Sequence, residues 1–262
     1  MAPPTRRQGL RLLGAWAVVP VLAPALAPAR VFAAEPRRFG VISLVGDELV
    51  IVYAAAQTGS NVDRNHHRAL PDAAGSFDRF ALAAAGRALE RAEPGAKVAL
   101  LGVGASPLHQ QPDKLFDGTT IALPDSLVTA LEQAQSTHVL LITKHRGPTR
   151  IGTADSKVGV GALRGLGYYI DRSIDLRMVD SGHTGTGMLV PYAYLQLTLA
   201  DARSGAVLRQ RVLTATRVFS VAAADQATDP WDVLSAKEKV ERLRGLLDQH
   251  LAREIPALVA PA

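Results

Sequence analysis

The chain has 262 residues, 48% of them hydrophobic, 20% charged and 5% aromatic, with no cysteine and a formal net charge of +5. That much apolar side chain excludes a wholly disordered polymer, and the length fits one or two globular domains. The lack of cysteine excludes disulfides, cysteine-ligated zinc, thiol catalysis and an amino-terminal lipidated cysteine.

The basic excess is local. Residues 1–33 hold Arg6, Arg7, Arg11 and Arg30 and no acid, so without them 25 basic residues face 24 acidic ones. A nucleic-acid partner would need a basic patch over much of the domain, which a balance of one charge does not supply. The same residues have the layout of a secretory signal: a basic start, an apolar run from Leu12 to Ala29, then Val31-Phe32-Ala33 as a small-residue cleavage site. An uncleaved membrane anchor is the other reading, but Pro20, Pro24 and Pro28 interrupt the run, so no stable anchor is expected after cleavage. Thr5-Arg6-Arg7-Gln8-Gly9-Leu10 resembles a twin-arginine export motif, with Gly9 where that motif prefers Phe. The expectation is a periplasmic or secreted protein: a signal peptide over 1–33, then a single α/β domain over 34–262.

Two apolar runs, Phe39 to Val45 and Leu49 to Tyr53, flank Gly46-Asp47-Glu48, a spacing that predicts an amino-terminal β-hairpin. Residues 54–76 read as a polar loop. Phe77, Phe80, Ala81, Ala84 and Leu89 then follow helical spacing, with Ser76 as cap, Asp78 favouring the positive end of the dipole and Pro94-Gly95 as stop. A strand over Lys97 to Val103, a helix over Pro124 to Gln135 and a strand over His138 to Thr143 complete two parallel crossovers. From Lys144 to Gly187 nine glycines punctuate the chain, predicting a flap at about 145–189. Val190 to Asp201 alternates, with Ala193, Leu195, Leu197 and Leu199 on one face. Its partner, Ala206 to Ser220, is joined through Ala202-Arg203-Ser204-Gly205, a register that sets Leu199 over Leu208 and Leu195 over Val212. Ser235-Ala-Lys-Glu238 is a capping box, and Val240, Leu243, Leu246, Leu247 and Leu251 form the apolar stripe of a packing helix to about Glu254, with a loose tail after Ile255. The fold class read from this order is α/β: a mixed sheet with an N-terminal hairpin, two parallel crossovers, a C-terminal antiparallel hairpin and a terminal helix.

No catalytic constellation is complete. Gly46-Asp47 with Asp180-Ser-Gly-His183 resembles the first and last blocks of a lipase and esterase family, but Glu48 stands where the nucleophile belongs. Gly159-Val-Gly161-Ala-Leu-Arg-Gly165 matches a dinucleotide-binding pattern in letters, without a helix start after it. Lys144, Arg146, Arg150, Lys157 and Arg164 against the single Asp155 make the flap basic, which suits peptidoglycan carboxylates, lipid phosphates or a solvated loop. Tyr192 and Tyr194, beside Arg209 and Arg211, make either a binding face or cross-strand packing. If the strands ending near Tyr53, Val103 and Thr143 are parallel, the loops after them share the carboxyl edge of the sheet, where α/β ligand sites gather. The candidate ligand-binding residues there are Asp63, His66, His67, His109, Lys144, His145 and Arg146. No metal-ligand spacing is present, and no metal or cofactor is expected.

Leu195-Gln-Leu-Thr-Leu-Ala-Asp201-Ala-Arg-Ser204-Gly205-Ala-Val-Leu208 resembles a strand–turn–strand of bacterial envelope-assembly proteins. That group includes the curli secretion lipoprotein, the lipoprotein activators of penicillin-binding proteins and the amino-terminal domain of the Tol-Pal translocation protein. As a whole the chain is similar to an uncharacterised family of exported bacterial proteins. The resemblance implies a non-enzymatic periplasmic protein that binds a partner or ligand in envelope assembly or maintenance: an envelope protein, peptidoglycan or a small anionic ligand. The alternative is a periplasmic hydrolase or metal-dependent enzyme at the carboxyl edge of the parallel strands.

Overall fold

The computed structural model describes residues 36–55, 63–72, 74–104, 106–153, 157–177, 182–223 and 229–260; residues 1–33, read as an export signal, and Asp155, Asp180 and Ser181 lie outside them. Arg38–Leu44 forms β1, Glu48–Tyr53 β2 and His66–Pro71 β3, followed by helix α1 over Ser76–Ala92 and strand β4 over Lys97–Leu101. The two-residue strands β5 (Phe116–Asp117) and β6 (Thr120–Ile121) precede α2 (Asp125–Gln133) and β7 (His138–Lys144). Short strands β8 (Arg146–Pro148), β9 (Ile151–Gly152) and β10 (Lys157–Val158) lead into β11 (Ala162–Arg177) and β12 (Thr184–Asp201). The chain closes with β13 (Val207–Thr216), β14 (Phe219–Ser220) and α3 (Ala236–Val259).

The mixed α/β sheet is observed, in the order β3-β2-β11-β12-β7-β1-β4, with β13 and β14 also on β12. β12 is long enough to serve two rows. Thr184–Tyr194 pairs with β11, and Leu195–Asp201 pairs with β7. β1 lies between β4 and β7, parallel to both, so α1 and α2 sit on crossovers. Phe39 to Leu44 are all buried, as a strand covered on both faces requires. α1 and α3 share one core with Val41, Leu140 and Ile142, while Leu127 and Leu131 of α2 pack on Ile42, Leu44 and Leu141 on the opposite face.

The hairpin between Phe39–Val45 and Leu49–Tyr53 does not form. β2 instead pairs in parallel with β11 and antiparallel with β3, which lies within the stretch read as a polar loop. Gly46 serves a close approach: a Cβ there would lie 2.3 Å from the backbone N of Asp78. β2 therefore continues in the direction of β1 instead of turning back, and of the described residues after Tyr53, Asp63 meets Arg146 just beyond β7.

The flap is also corrected. Among the described residues its first part holds the short strands β8 to β10, while residues 162–177 and 184–201 are long central strands in which Tyr168, Tyr169, Ile170, Tyr192 and Tyr194 are buried. Glycine here permits contact: a Cβ on Gly167 would stand 1.9 Å from the Val50 carbonyl oxygen across the β2–β11 pair. The tyrosine face is packing, since the Tyr192 and Tyr194 rings meet edge to face at 5.9 Å and their hydroxyls donate to Val50 and Pro148 carbonyls.

The carboxyl-terminal hairpin turns at the expected loop, with Asp201 N–H donating to the Ala206 carbonyl at 2.9 Å. A bulge between Leu199 and Ala200 then shifts the register, so that Leu195 opposes Leu213 and Leu199 opposes Arg209. Arg211 reaches Glu254 of α3 at 2.9 Å, while Leu208 and Val212, expected inside, are about half exposed. The capping box of α3 is present, but the helix runs past Pro256 to Val259, burying Leu258 and Val259. Guanidinium groups from Arg37 and Arg209 take the last carbonyls, among them Val259 and Leu258, which stabilises the end expected to be loose.

Candidate functional site

Beyond the carboxyl ends of β1 and β4 a cleft of about 360 Å³ opens between the β1–β2 turn, the first turns of α1 and the segment after β4. Gly46, Asp47, Asp72, Asp78, Gly102 and His109 are among its walls. This is the crevice in which α/β proteins place ligands, and the crossover from β1 through α1 to β4 produces it.

Asp78 organises the cleft. One carboxylate oxygen accepts from Ser43 Oγ at 2.6 Å and from the backbone N–H groups of Val45 and Gly46 at 3.0 and 3.2 Å. The other faces His109 Nε2 at 2.7 Å, and His109 Nδ1 lies 3.1 Å from the Ser106 carbonyl. Both ring nitrogens thus face pure acceptors, and only the imidazolium donates to both. The Asp78 hydrogen bond raises the His109 pKa above its ordinary value, against burial of a ring that is 2% exposed. Burial alone would raise the Asp78 carboxyl; hydrogen bonds from His109, Ser43 and Val45 outweigh it and hold the group below the usual range. Ser43, Asp78 and His109 are the residue types of a hydrolytic triad in an unproductive order. The carboxylate stands between hydroxyl and imidazole, Ser43 gives its proton to Asp78, and no nitrogen of His109 is left to activate it.

Lys144, at the end of β7, pairs with the cleft wall at Asp47. Its side chain is 4% exposed and its ammonium pairs with Asp47 and, at 3.2 Å, with Glu48. Gln110 donates to Asp47, and Arg164 Nη2 donates to the Gln110 carbonyl at 2.9 Å, so the strand end, the turn and the segment carrying His109 are tied together. Asp72 accepts from the Phe77 N–H at 3.0 Å, taking the capping role expected of Ser76. The three cleft carboxylates are therefore all engaged within the protein.

The remaining candidates lie elsewhere. Asp63 stands 3.9 Å from His67 Nε2 and 3.7 Å from Arg146 Nη2, and accepts from the Ala162 N–H at 3.1 Å. His66 is on β3 with its ring 5.9 Å from that of Tyr53, and His145 bonds through its backbone to Tyr194. His109 and Lys144 thus meet around Asp47, Asp63 gathers His67 and Arg146, and His66 and His145 join neither group. Among the described residues no three of His, Asp or Glu are arranged to hold a metal ion. Gly159–Gly165 leads into β11, not a helix, so the dinucleotide pattern lacks its structural context. Sequence reasoning missed Ser43 and Asp47 as site residues and read Asp78 only as a dipole partner. The signal that could have found them is a hydroxyl and carboxylates at the carboxyl end of a buried strand and in the helix turn facing it.

No family model and no curated protein matches this sequence. Among solved structures, the chain is similar to a neuraminyllactose-binding hemagglutinin homolog from Helicobacter pylori, with 11% identity and a TM-score of 0.40 over 84% of this chain and 88% of that one. It is also similar to the PelC dodecamer from Paraburkholderia phytofirmans, at 12% identity and a TM-score of 0.32 over 87% and 91% of the two chains. A minor lipoprotein from Acinetobacter baumannii aligns at 9% identity and a TM-score of 0.32 over 84% and 93%. Likenesses this distant say nothing about what the chain binds.

Proposed function

We propose that this chain is an exported protein of the bacterial envelope, released from residues 1–33, that acts by binding a small anionic ligand in the cleft beyond β1 and β4. The observation that carries this reading is the cleft itself, held open by the Asp78–His109 and Lys144–Asp47 pairs at the position where α/β folds place ligands. Its carboxylates are consumed by internal donors, while the amino-terminal end of α1, the positive end of the helix dipole, and the Gly102–Gly104 segment border the open space, an environment that favours carboxylate or phosphate.

The test uses soluble disaccharide–peptide fragments of peptidoglycan and inorganic phosphate, titrated while amide resonances are followed. Saturable shifts are expected at Gly46, Gly102 and Gly104. A Cβ on Gly102, in the cleft wall, meets nothing within 4 Å, so Gly102→Leu adds bulk there without strain and is expected to abolish the shifts at unchanged thermal stability. Shifts that survive Gly102→Leu, or no response to either probe, overturn the assignment. Export is checked by mass spectrometry of the periplasmic fraction, where a chain still beginning at Met1 refutes cleavage.

A further inference from the structure

A second depression, of about 400 Å³, lies on the face of the sheet that α1 and α3 cover, between the outer strand β3 and a short turn at Pro230–Val233. Ile51 and Tyr53 of β2, Leu70 of β3 and Trp231 form its apolar part. Four charged side chains border it, two of each sign, and they are not equivalent. Arg172 and Asp229 satisfy each other through a fork of 2.8 and 3.2 Å, with the guanidinium 5.3 Å from the Tyr53 ring centre. The side chains of Arg68 and Asp232 make no hydrogen bond and no ion pair with any described residue. The Lys239 ammonium, 4.2 Å from the Trp231 ring centre, donates to the Leu234 carbonyl and acts on Asp232 only through space.

A solvent-exposed cation and a solvent-exposed anion, neither paired, thus border a partly apolar, aromatic floor, and the four charged side chains sum to no net charge. A simple anion meets two carboxylates there, and a simple cation meets two guanidinium groups. A ligand carrying both charges on a short backbone satisfies both sides at once, and its side chain covers the floor. We propose that this depression binds a free α-amino acid with an apolar side chain, its carboxylate at Arg68 and its ammonium at Asp232. The site is separate from the cleft beyond β1 and β4, so the two proposals stand or fall independently.

Trp231 makes the test direct, because the only other tryptophan is Trp16. In the full chain carrying Trp16→Phe, emission reports on the floor of this depression alone. Titration with leucine is expected to give a saturable change in emission, while N-acetylleucine and leucinamide, each lacking one charge, give none. Arg68→Ala and Asp232→Asn should each weaken leucine about tenfold or more, and Gly102→Leu should leave it unaltered. No saturable change with leucine overturns the proposal. Equal responses to leucine and its two neutralised derivatives overturn it as well, because they reveal apolar contact without charge recognition. Dileucine binding as tightly as leucine overturns the assignment to a free amino acid in favour of a peptide.

Discussion

His109→Ala removes a ring that donates from both nitrogens inside the cleft wall. The substitution leaves the Asp78 carboxylate without its partner on one oxygen and the Ser106 carbonyl without its side-chain donor. A group left unsatisfied in such a place costs about 1–3 kcal/mol, and deletion of the ring, 2% exposed, adds lost packing, so a total of about 3 kcal/mol is expected. The pH dependence follows from the directions of the two shifts. His109 has its folded pKa raised above 6.5, so its contribution is fully present below that value and is lost as pH rises through the folded pKa. Asp78 has its folded pKa lowered below 3.8, so its contribution is present above that value and is lost as pH falls through the folded pKa. The pair therefore stabilises most between about pH 4 and 6.5, and less in alkaline solution. Urea unfolding of wild type and His109→Ala at pH 5.5 and pH 9 measures this directly. A larger difference at pH 5.5 is expected, and an equal difference at both values refutes a charged imidazole in the fold.

Two further outcomes rest on the same physics. Lys144→Met leaves Asp47 and Glu48 facing each other across the site of a buried ammonium, and a loss of about 3 kcal/mol is expected in urea unfolding, with part recovered by Asp47→Asn in the same chain. A double variant as unstable as the single one argues against the ion pair. Burial pushes the hydroxyls of Tyr168, Tyr192 and Tyr194 above the ordinary value of 10.0 and that of Tyr169 to about 12. Spectrophotometric titration should find these four phenols resisting ionisation until the alkaline transition, with stability intact below pH 10 and lost above it; ionisation of all the tyrosines near 10 in the folded protein would contradict the packing.

The sequence by itself determined the class of the fold and most of its helical pieces. Phe77 to Leu89, the Pro94-Gly95 stop and the Ser235–Glu238 box are local signals, and α1 and α3 begin within a residue of where they point. The alternation of Ala193 to Leu199 and the loop before Ala206 were legible for the same reason, since neighbours within a few residues set them. Strand partners are not local. Gly46-Asp47 permits a tight turn, yet β1 pairs with β4 and β7, where Phe39 to Leu44 are buried on both faces, and the glycine serves the approach of α1. The glycine at 167 reads as freedom of the chain, and only the backbone of β2 pressed against β11 shows it as contact. The candidate site divides along the same line. His109 was visible as a histidine after a strand, but its partner Asp78 is 31 residues away and Ser43 lies on another strand, so their meeting depended on the crossover from β1 to β4. Tertiary structure decided which charges pair and which stay open, because burial, which makes a pairing obligatory, belongs to the packed fold and not to any segment of the chain.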